Sequence, residues 1–243
     1  MGGRLYTPID TPKAFAPDLW LIDGPAIRFA GLPYTTRATV VRLPAGALWV
    51  HSPTRLTEGL ASDLAALGTI GHLIAPNWIH YAYLPEWQAA FPDALLWAAP
   101  GVAARAEARG TRLRIDRELT DTAPPDWAGT IEQIVVAGSA VHREAVFFHG
   151  PSRTLILTDL IENFEPARLP IWMRPLVRLA GIAAPTGRMP PDMRATFRDR
   201  AALRASVETL LGWAPERIVL SHGRPFEQNG TDELRRAFAF ALR

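Results

Sequence analysis

The stretch that decides the fold is Ser152-Arg153-Thr154-Leu155-Ile156-Leu157-Thr158-Asp159-Leu160. A turn-forming Ser-Arg precedes a short apolar run rich in β-branched and aliphatic side chains, and a carboxylate stands immediately after it. That is the pattern of a buried strand delivering a polar group at its C-terminal end. The pattern recurs. Leu48-Trp49-Val50 ends in His51, and Ile218-Val219-Leu220-Ser221 ends in His222. His72-Leu73-Ile74-Ala75 stops at Pro76-Asn77, with His80 just beyond. In open α/β sheets, strand ends are where loops converge above a rigid floor and ligands bind.

Working outward, Thr39–Leu43 and Leu48–His51 flank Pro44-Ala45-Gly46-Ala47, which reads as a β-hairpin. Leu19–Asp23 reads as a strand ended by the turn signal Gly24-Pro25. Leu60, Leu64 and Leu67 share one face of a helix over 57–67, closed by Gly68. Leu84–Phe91, with Pro85 in its first turn, and Gly101–Arg109 read as further helices around the strand Leu95–Ala98. The second half begins with strands at Ile131–Val136, Glu144–Phe148 and Thr154–Thr158. One long helix is expected over Asp192–Leu211, then the strand Ile218–Leu220 and a final helix over Asp232–Leu242 capped by Thr231. Strands alternating with helices predict an α/β layer architecture: two sheets packed face to face with helices outside. One domain over 1–243 is the simplest account. The loop-like 121–128 is the alternative boundary.

Composition narrows the classes. Hydrophobic residues are 48% and charged residues 21% of 243, a globular mix that excludes disorder as the main state. The net charge of +2 gives no electrostatic case for a nucleic-acid partner. Lys13 is the only lysine among 26 basic residues, so the arginine surplus reflects overall usage rather than a phosphate-binding design. With no cysteine, thiolate catalysis, iron–sulfur clusters and cysteine-ligated zinc are excluded. The opening Met1–Asp10 lacks a signal-peptide pattern, and Leu169–Pro185 is too short and too interrupted to span a bilayer. A cytoplasmic protein is expected. No Gly-x-Ser-x-Gly elbow, dinucleotide fingerprint or P-loop occurs.

His51, His80, Asp159 and His222 are therefore the candidate metal ligands, of types suited to zinc, iron or manganese. Taken singly, each is better explained as a turn cap or a backbone hydrogen-bond partner; four in the same topological position favour a shared site. His142 and Glu144, two apart on a strand, would face one side and could share a proton or a metal. The catalytic candidates are Asp159 and Glu144. Asn77, Trp78, Tyr81, Tyr83 and His142 are candidate pocket residues, whereas His72, His149, Trp49 and Trp87 read as structural. Pro170–Pro191 reads as an amphipathic helix broken by Pro175, suited to a lid or a dimer contact.

The order of these clusters resembles the metallo-beta-lactamase fold, an αββα sandwich with its metal site at the sheet edges. Thr158-Asp159 stands where that fold has Gly-Asp, and Ser221-His222-Gly223 where it has Gly-His-Gly. Val50-His51-Ser52-Pro53-Thr54, Ala75-Pro76-Asn77-Trp78-Ile79-His80 and the 152–160 stretch are more particular. They resemble a divergent branch, the domain-of-unknown-function family numbered 4336, over roughly Ile9–Phe226. The resemblance implies that Asp159 bridges metals and that His222 binds one. The departures are as informative. The fold's His-x-His-x-Asp-His becomes Asn77-Trp78-Ile79-His80-Tyr81-Ala82-Tyr83, and its Gly-His-Thr-x-Gly becomes Gly138-Ser139-Ala140-Val141-His142. A standard dinuclear zinc site cannot be assembled from these residues. Three readings stand: a rearranged one-metal hydrolase of an ester, amide or phosphoester; a metal-free site in which His51 or His80 is a general base or binds an anion; and a binding or assembly module without catalysis. A small-molecule ligand and homo-oligomer formation fit all three.

Overall fold

The computed structural model describes residues 5–29 and 31–243; Met1–Arg4, read above for a leader, lie outside the described residues. Four strands open the chain: β1 (Lys13–Ala16), β2 (Leu19–Phe29), β3 (Leu32–Arg42) and β4 (Ala47–His51). Helix α1 (Glu58–Leu67) follows, its first turn capped by the Thr57 hydroxyl, which accepts from the Leu60 amide at 3.1 Å. Then come β5 (Thr69–Ala75), α2 (Leu84–Ala90), β6 (Leu95–Ala98), α3 (Val102–Ala108) and the short β7 (Arg117–Glu118). Strands β1 to β4 are antiparallel neighbours, while β4 to β7 run parallel through the helical crossovers, so one mixed sheet carries strand order β1 to β7.

The second sheet has order β11-β10-β9-β8, from β8 (Ile131–Val135), β9 (Ala145–His149), β10 (Thr154–Ile156) and β11 (Arg217–Val219). Between β10 and β11 lie α4 (Met173–Leu179), α5 (Pro191–Thr196) and α6 (Arg200–Gly212), and α7 (Gly230–Ala237) ends the chain. Side-chain alternation shows how the layers stack. On β9, Ala145 and Phe147 join the core shared with the first sheet, whereas Val146 and Phe148 face a second core with Leu203, Val207 and Leu210 of α6 and Leu234 of α7. Ile156 and Val219 likewise face inward, and Leu155 and Ile218 outward. The expected αββα sandwich is what forms.

Local expectations need four corrections. Gly24-Pro25 does not end a strand; β2 runs through it, and the register shift between Asp23 and Ala26 absorbs the proline, which cannot donate to the ladder. The single helix expected over Asp192–Leu211 is two helices, because Phe197 bridges to Ser139 and Asp199 starts α6 as its N-cap, accepting from the Ala202 amide. The last helix begins at Gly230 rather than Asp232, and Thr231 does not cap it: its hydroxyl donates to the Pro215 carbonyl. Pro175 does not break α4, since it sits in the first turn, where its missing N–H has no partner to lose. The 121–128 stretch carries Trp127, buried against Trp49, Trp97 and His72. No helix among the described residues is long and apolar enough to cross a membrane.

Candidate metal centre

Because β4 and β5 are parallel, as are β10 and β11, their C-terminal ends emerge on one edge of each sheet. His51 ends β4, and His80 lies in the loop after β5. Asp159 and His222 lie just beyond β10 and β11. Three of the four candidate ligands meet. The Asp159 Oδ1 atom is 3.1 Å from His80 Nε2 and 3.1 Å from His222 Nε2, and the two imidazole rings stand 5.3 Å apart. All three donor atoms fall within 4.8 Å of one another.

His51 is not in this cluster. Its ring stacks on Trp49 and meets Phe147 edge-on, 1% exposed, and neither ring nitrogen has a hydrogen-bond partner among the described residues. Burial, aided by the charge on His80, pushes the His51 imidazole down to about 3.

A second acidic and imidazole cluster, His142, Glu144 and Asp159, is as compact. Its hydrogen bonds give it a different chemistry. The Trp78 indole N–H, which can only donate, reaches His142 Nδ1 at 3.3 Å, so that nitrogen offers its lone pair to the indole. The neutral ring then carries its proton on Nε2, which donates to Glu144 Oε2 at 3.2 Å. The Glu144 carboxylate, fully buried, also accepts from the amides of Thr158 at 2.8 Å and Asp159 at 2.9 Å, and from Asn77 Nδ2 at 3.2 Å. Three of the four donors converge on Oε2 and the fourth engages Oε1. His142, Glu144 and Asn77 therefore form a hydrogen-bonded network that already commits His142 and Glu144 Oε2.

The His80–Asp159–His222 cluster is the reverse case. His222 Nδ1 lies 2.7 Å from the Thr35 carbonyl oxygen, which can only accept, so Nδ1 carries a hydrogen. Nε2 is thereby turned toward the Asp159 carboxylate oxygen. That contact at 3.1 Å is held by a proton on Nε2 or by a cation in its place. A second-layer carbonyl fixing the tautomer and aiming Nε2 is the arrangement metal-ligating histidines use. His80 is held similarly: its Nδ1 is 2.7 Å from the Ser52 hydroxyl, and Asn77 Oδ1 accepts the His80 amide. Asn77 Nδ2 donates to Asp159 Oδ2 at 2.7 Å, leaving Oδ1 to the imidazoles. Burial pushes the Asp159 carboxyl up, but the His80 charge and the hydrogen bonds from both imidazoles hold it well below the usual range. Burial likewise opposes a charge on His222, and the Asp159 bond outweighs it, raising the imidazole. Two imidazoles and a carboxylate with fixed tautomers fit a divalent ion such as zinc, iron or manganese.

Two residues that sequence reasoning passed over complete the centre. Arg37 on β3, 3% exposed, donates from Nη1 to the carbonyls of Leu220 at 2.9 Å and Gly223 at 2.6 Å, bracketing His222. Its Nη2 lies 2.7 Å from Asp23, which also pairs with Lys13. Gly223 itself has φ +97, and a Cβ there would overlap the Asn163 backbone. Glu162 is the second, 6% exposed, with no hydrogen bond or ion pair to its carboxylate among the described residues. It faces a cleft of about 110 Å³ that opens onto His80, Asp159 and His222 and is walled by Ile27, Tyr34, Ile79 and Met193, with Asp192 at its rim. Of the candidate pocket residues, Asn77, Trp78 and His142 belong to the buried network, and Tyr81 and Tyr83 pack against the core instead of lining the cleft. Trp49 and Trp87 are fully buried.

Comparison with known proteins agrees with this architecture. The sequence profile of the family described as domain of unknown function (DUF4336) matches residues 20–177. A metallo-beta-lactamase from Pontibacter korlensis superposes with a TM-score of 0.66 at 11% identity, covering 99% of this chain and 100% of that one. One from Erythrobacter litoralis gives 0.65 at 12%, covering 95% of each chain. The FIM-1 enzyme from Pseudomonas aeruginosa, in its mono-zinc form, gives 0.64 at 10%, covering 96% of each. No curated protein matches the sequence. With the profile spanning most of the chain and the sandwich reproduced end to end, the chain belongs to the DUF4336 family and has the fold of the metallo-beta-lactamases.

Proposed function

We propose that this protein is a metal-dependent hydrolase with a single ion held by His80, Asp159 and His222, acting on an ester or amide. The observation that carries the reading is the convergence of His80 Nε2, Asp159 Oδ1 and His222 Nε2 within 4.8 Å, with the Thr35 carbonyl holding His222 Nδ1 so that Nε2 is turned to the carboxylate at 3.1 Å. A divalent ion with three protein ligands and an open position lowers the pKa of bound water and polarises a carbonyl. The chain's own residues supply the rest. The Thr35 carbonyl and the Ser52 hydroxyl orient the two imidazoles, and Asn77 fixes which carboxylate oxygen of Asp159 is presented. The Glu144 network holds the Thr158–Asp159 backbone in place instead of carrying protons.

The test is metal content by elemental mass spectrometry on protein purified without a His tag or chelator. Near-stoichiometric zinc, iron or manganese is expected in the wild type and in His142→Ala, and its loss in His80→Ala and His222→Ala. No metal in the wild type after reconstitution refutes the reading and leaves a binding module built on the same scaffold.

A further inference from the structure

The cleft beside the candidate centre has an unusual charge balance. Glu162 lies in it, almost fully buried and without a partner, and Asp192 stands at its mouth; among the described residues no lysine or arginine lines it. A buried carboxylate is ordinarily paired, because leaving it alone is among the costlier arrangements in a protein interior. Among the described residues lining the cleft, the only groups of positive character are the imidazoles of His80 and His222, and both are engaged by Asp159 rather than by Glu162. Burial raises the Glu162 carboxyl to about 8, opposed by His222 and helped by smaller pushes from Asp159 and Asp192. The remaining walls are the Tyr34 ring and the aliphatic Ile27, Ile79 and Met193. A carboxylate with an aromatic ring and aliphatic walls is the surface that receives an alkylammonium group. A phosphate or carboxylate would meet three acids, Asp159, Glu162 and Asp192, and no lysine or arginine, with the two imidazoles already engaged by Asp159.

We infer that this cleft binds the cationic end of the substrate, an alkylammonium group seated against Glu162 with Asp192 guiding it in. Resting on the hydrolase reading above, this makes the substrate an ester or amide that also carries a protonated or quaternary amine. The cleft's volume of about 110 Å³ suits a small head group rather than a bulky ring system.

Three probes of similar size and shape but different charge test it: tetramethylammonium, tert-butanol and pivalate. Binding is followed by NMR titration at pH 8.5 with a chelator present, so that no metal contributes. Wild-type protein is expected to prefer tetramethylammonium over both others by about tenfold or more, and Glu162→Gln to erase that preference. Equal affinities, or a preference that survives in Glu162→Gln, overturn the inference. If circular dichroism shows Glu162→Gln unfolded, Asp192→Asn at the exposed rim carries the test. It is expected to weaken tetramethylammonium by about twofold to threefold while leaving tert-butanol unchanged. An identical loss for both probes, or none for either, overturns the inference. Metal content is measured separately. A cation preference without metal sinks the hydrolase reading alone, and metal without a cation preference sinks only the substrate class.

Discussion

Replacing Glu144 by glutamine separates a scaffolding carboxylate from a catalytic one. Glu144 accepts four hydrogens: Thr158 N on one oxygen, and Asp159 N, Asn77 Nδ2 and His142 Nε2 on the other. Glutamine has one acceptor oxygen. If it takes the triply bonded position, its amide group turns toward the Thr158 N–H and two donors face each other. The loss is one charge-assisted bond, about 1.5–3 kcal/mol, plus an orphaned buried donor, about 1–3 kcal/mol. Not having to bury a charge offsets part of this, so the net destabilisation should be about 3–4 kcal/mol. At this chain length each kcal/mol moves the Tm by about 2–4 °C, so a fall of about 10 °C is expected. Urea denaturation followed by circular dichroism measures the first quantity and a thermal scan the second. A variant within about 1 kcal/mol of wild type would refute the reasoning. It would mean the four contacts do not hold the Asp159 backbone, and Glu144 would return as a proton carrier.

Three further outcomes are expected. Arg37→Met strips two carbonyls beside His222 of their donor and leaves Asp23 with Lys13 alone. It should cost about 3–5 kcal/mol in urea denaturation and weaken metal binding about 10–100-fold in a chelator competition; unchanged metal affinity would count against its positioning role. His51 titrates near 3 when folded, against about 6.5 unfolded, so between those values the unfolded chain takes up a proton that the folded one refuses. Its stability contribution is intact above pH 6.5 and drains at about 1.4 kcal/mol per pH unit as the pH falls, so His51→Phe should lower the acid-unfolding midpoint; an unmoved midpoint rejects this. Gly223→Ala forces a side chain at φ +97 onto the Asn163 backbone and should abolish metal loading while circular dichroism stays near wild type. Normal loading would show that the loop can relax.

The strand ends were the legible part of the site. An apolar run stopping at a histidine or aspartate is a pattern of neighbouring residues, and the parallel pairs β4–β5 and β10–β11 turn that pattern into proximity. Nothing local distinguishes His51 from His80, however. His51 extends β4 and keeps its strand's inward alternation, so it falls against Trp49 and Phe147, whereas the loop after Asn77 turns His80 back toward Asp159. Arg37 was invisible because it is one arginine among many, and the two carbonyls it holds lie more than 180 residues away. Glu162 sits in irregular sequence where no periodicity says which side chain faces inward. The Gly24-Pro25 pair misled because its usual meaning is a turn. Here a long hairpin ran through it by spending the irregularity on a change of register.

The centre is assembled across a seam. His80 hangs from the seven-stranded sheet, and Asp159 and His222 from the four-stranded one, with the packed layer of Trp49, Phe147, Ile156 and Val219 between. The gap between the imidazoles is therefore a caliper on how the layers sit. Close-packed interiors pass displacements on instead of absorbing them. A methylene added or removed at Phe147 would slide one layer over the other and open or pinch the jaws without touching a jaw. An occupant of the jaws would clamp the two layers together in return, resisting their separation from the far edge inward.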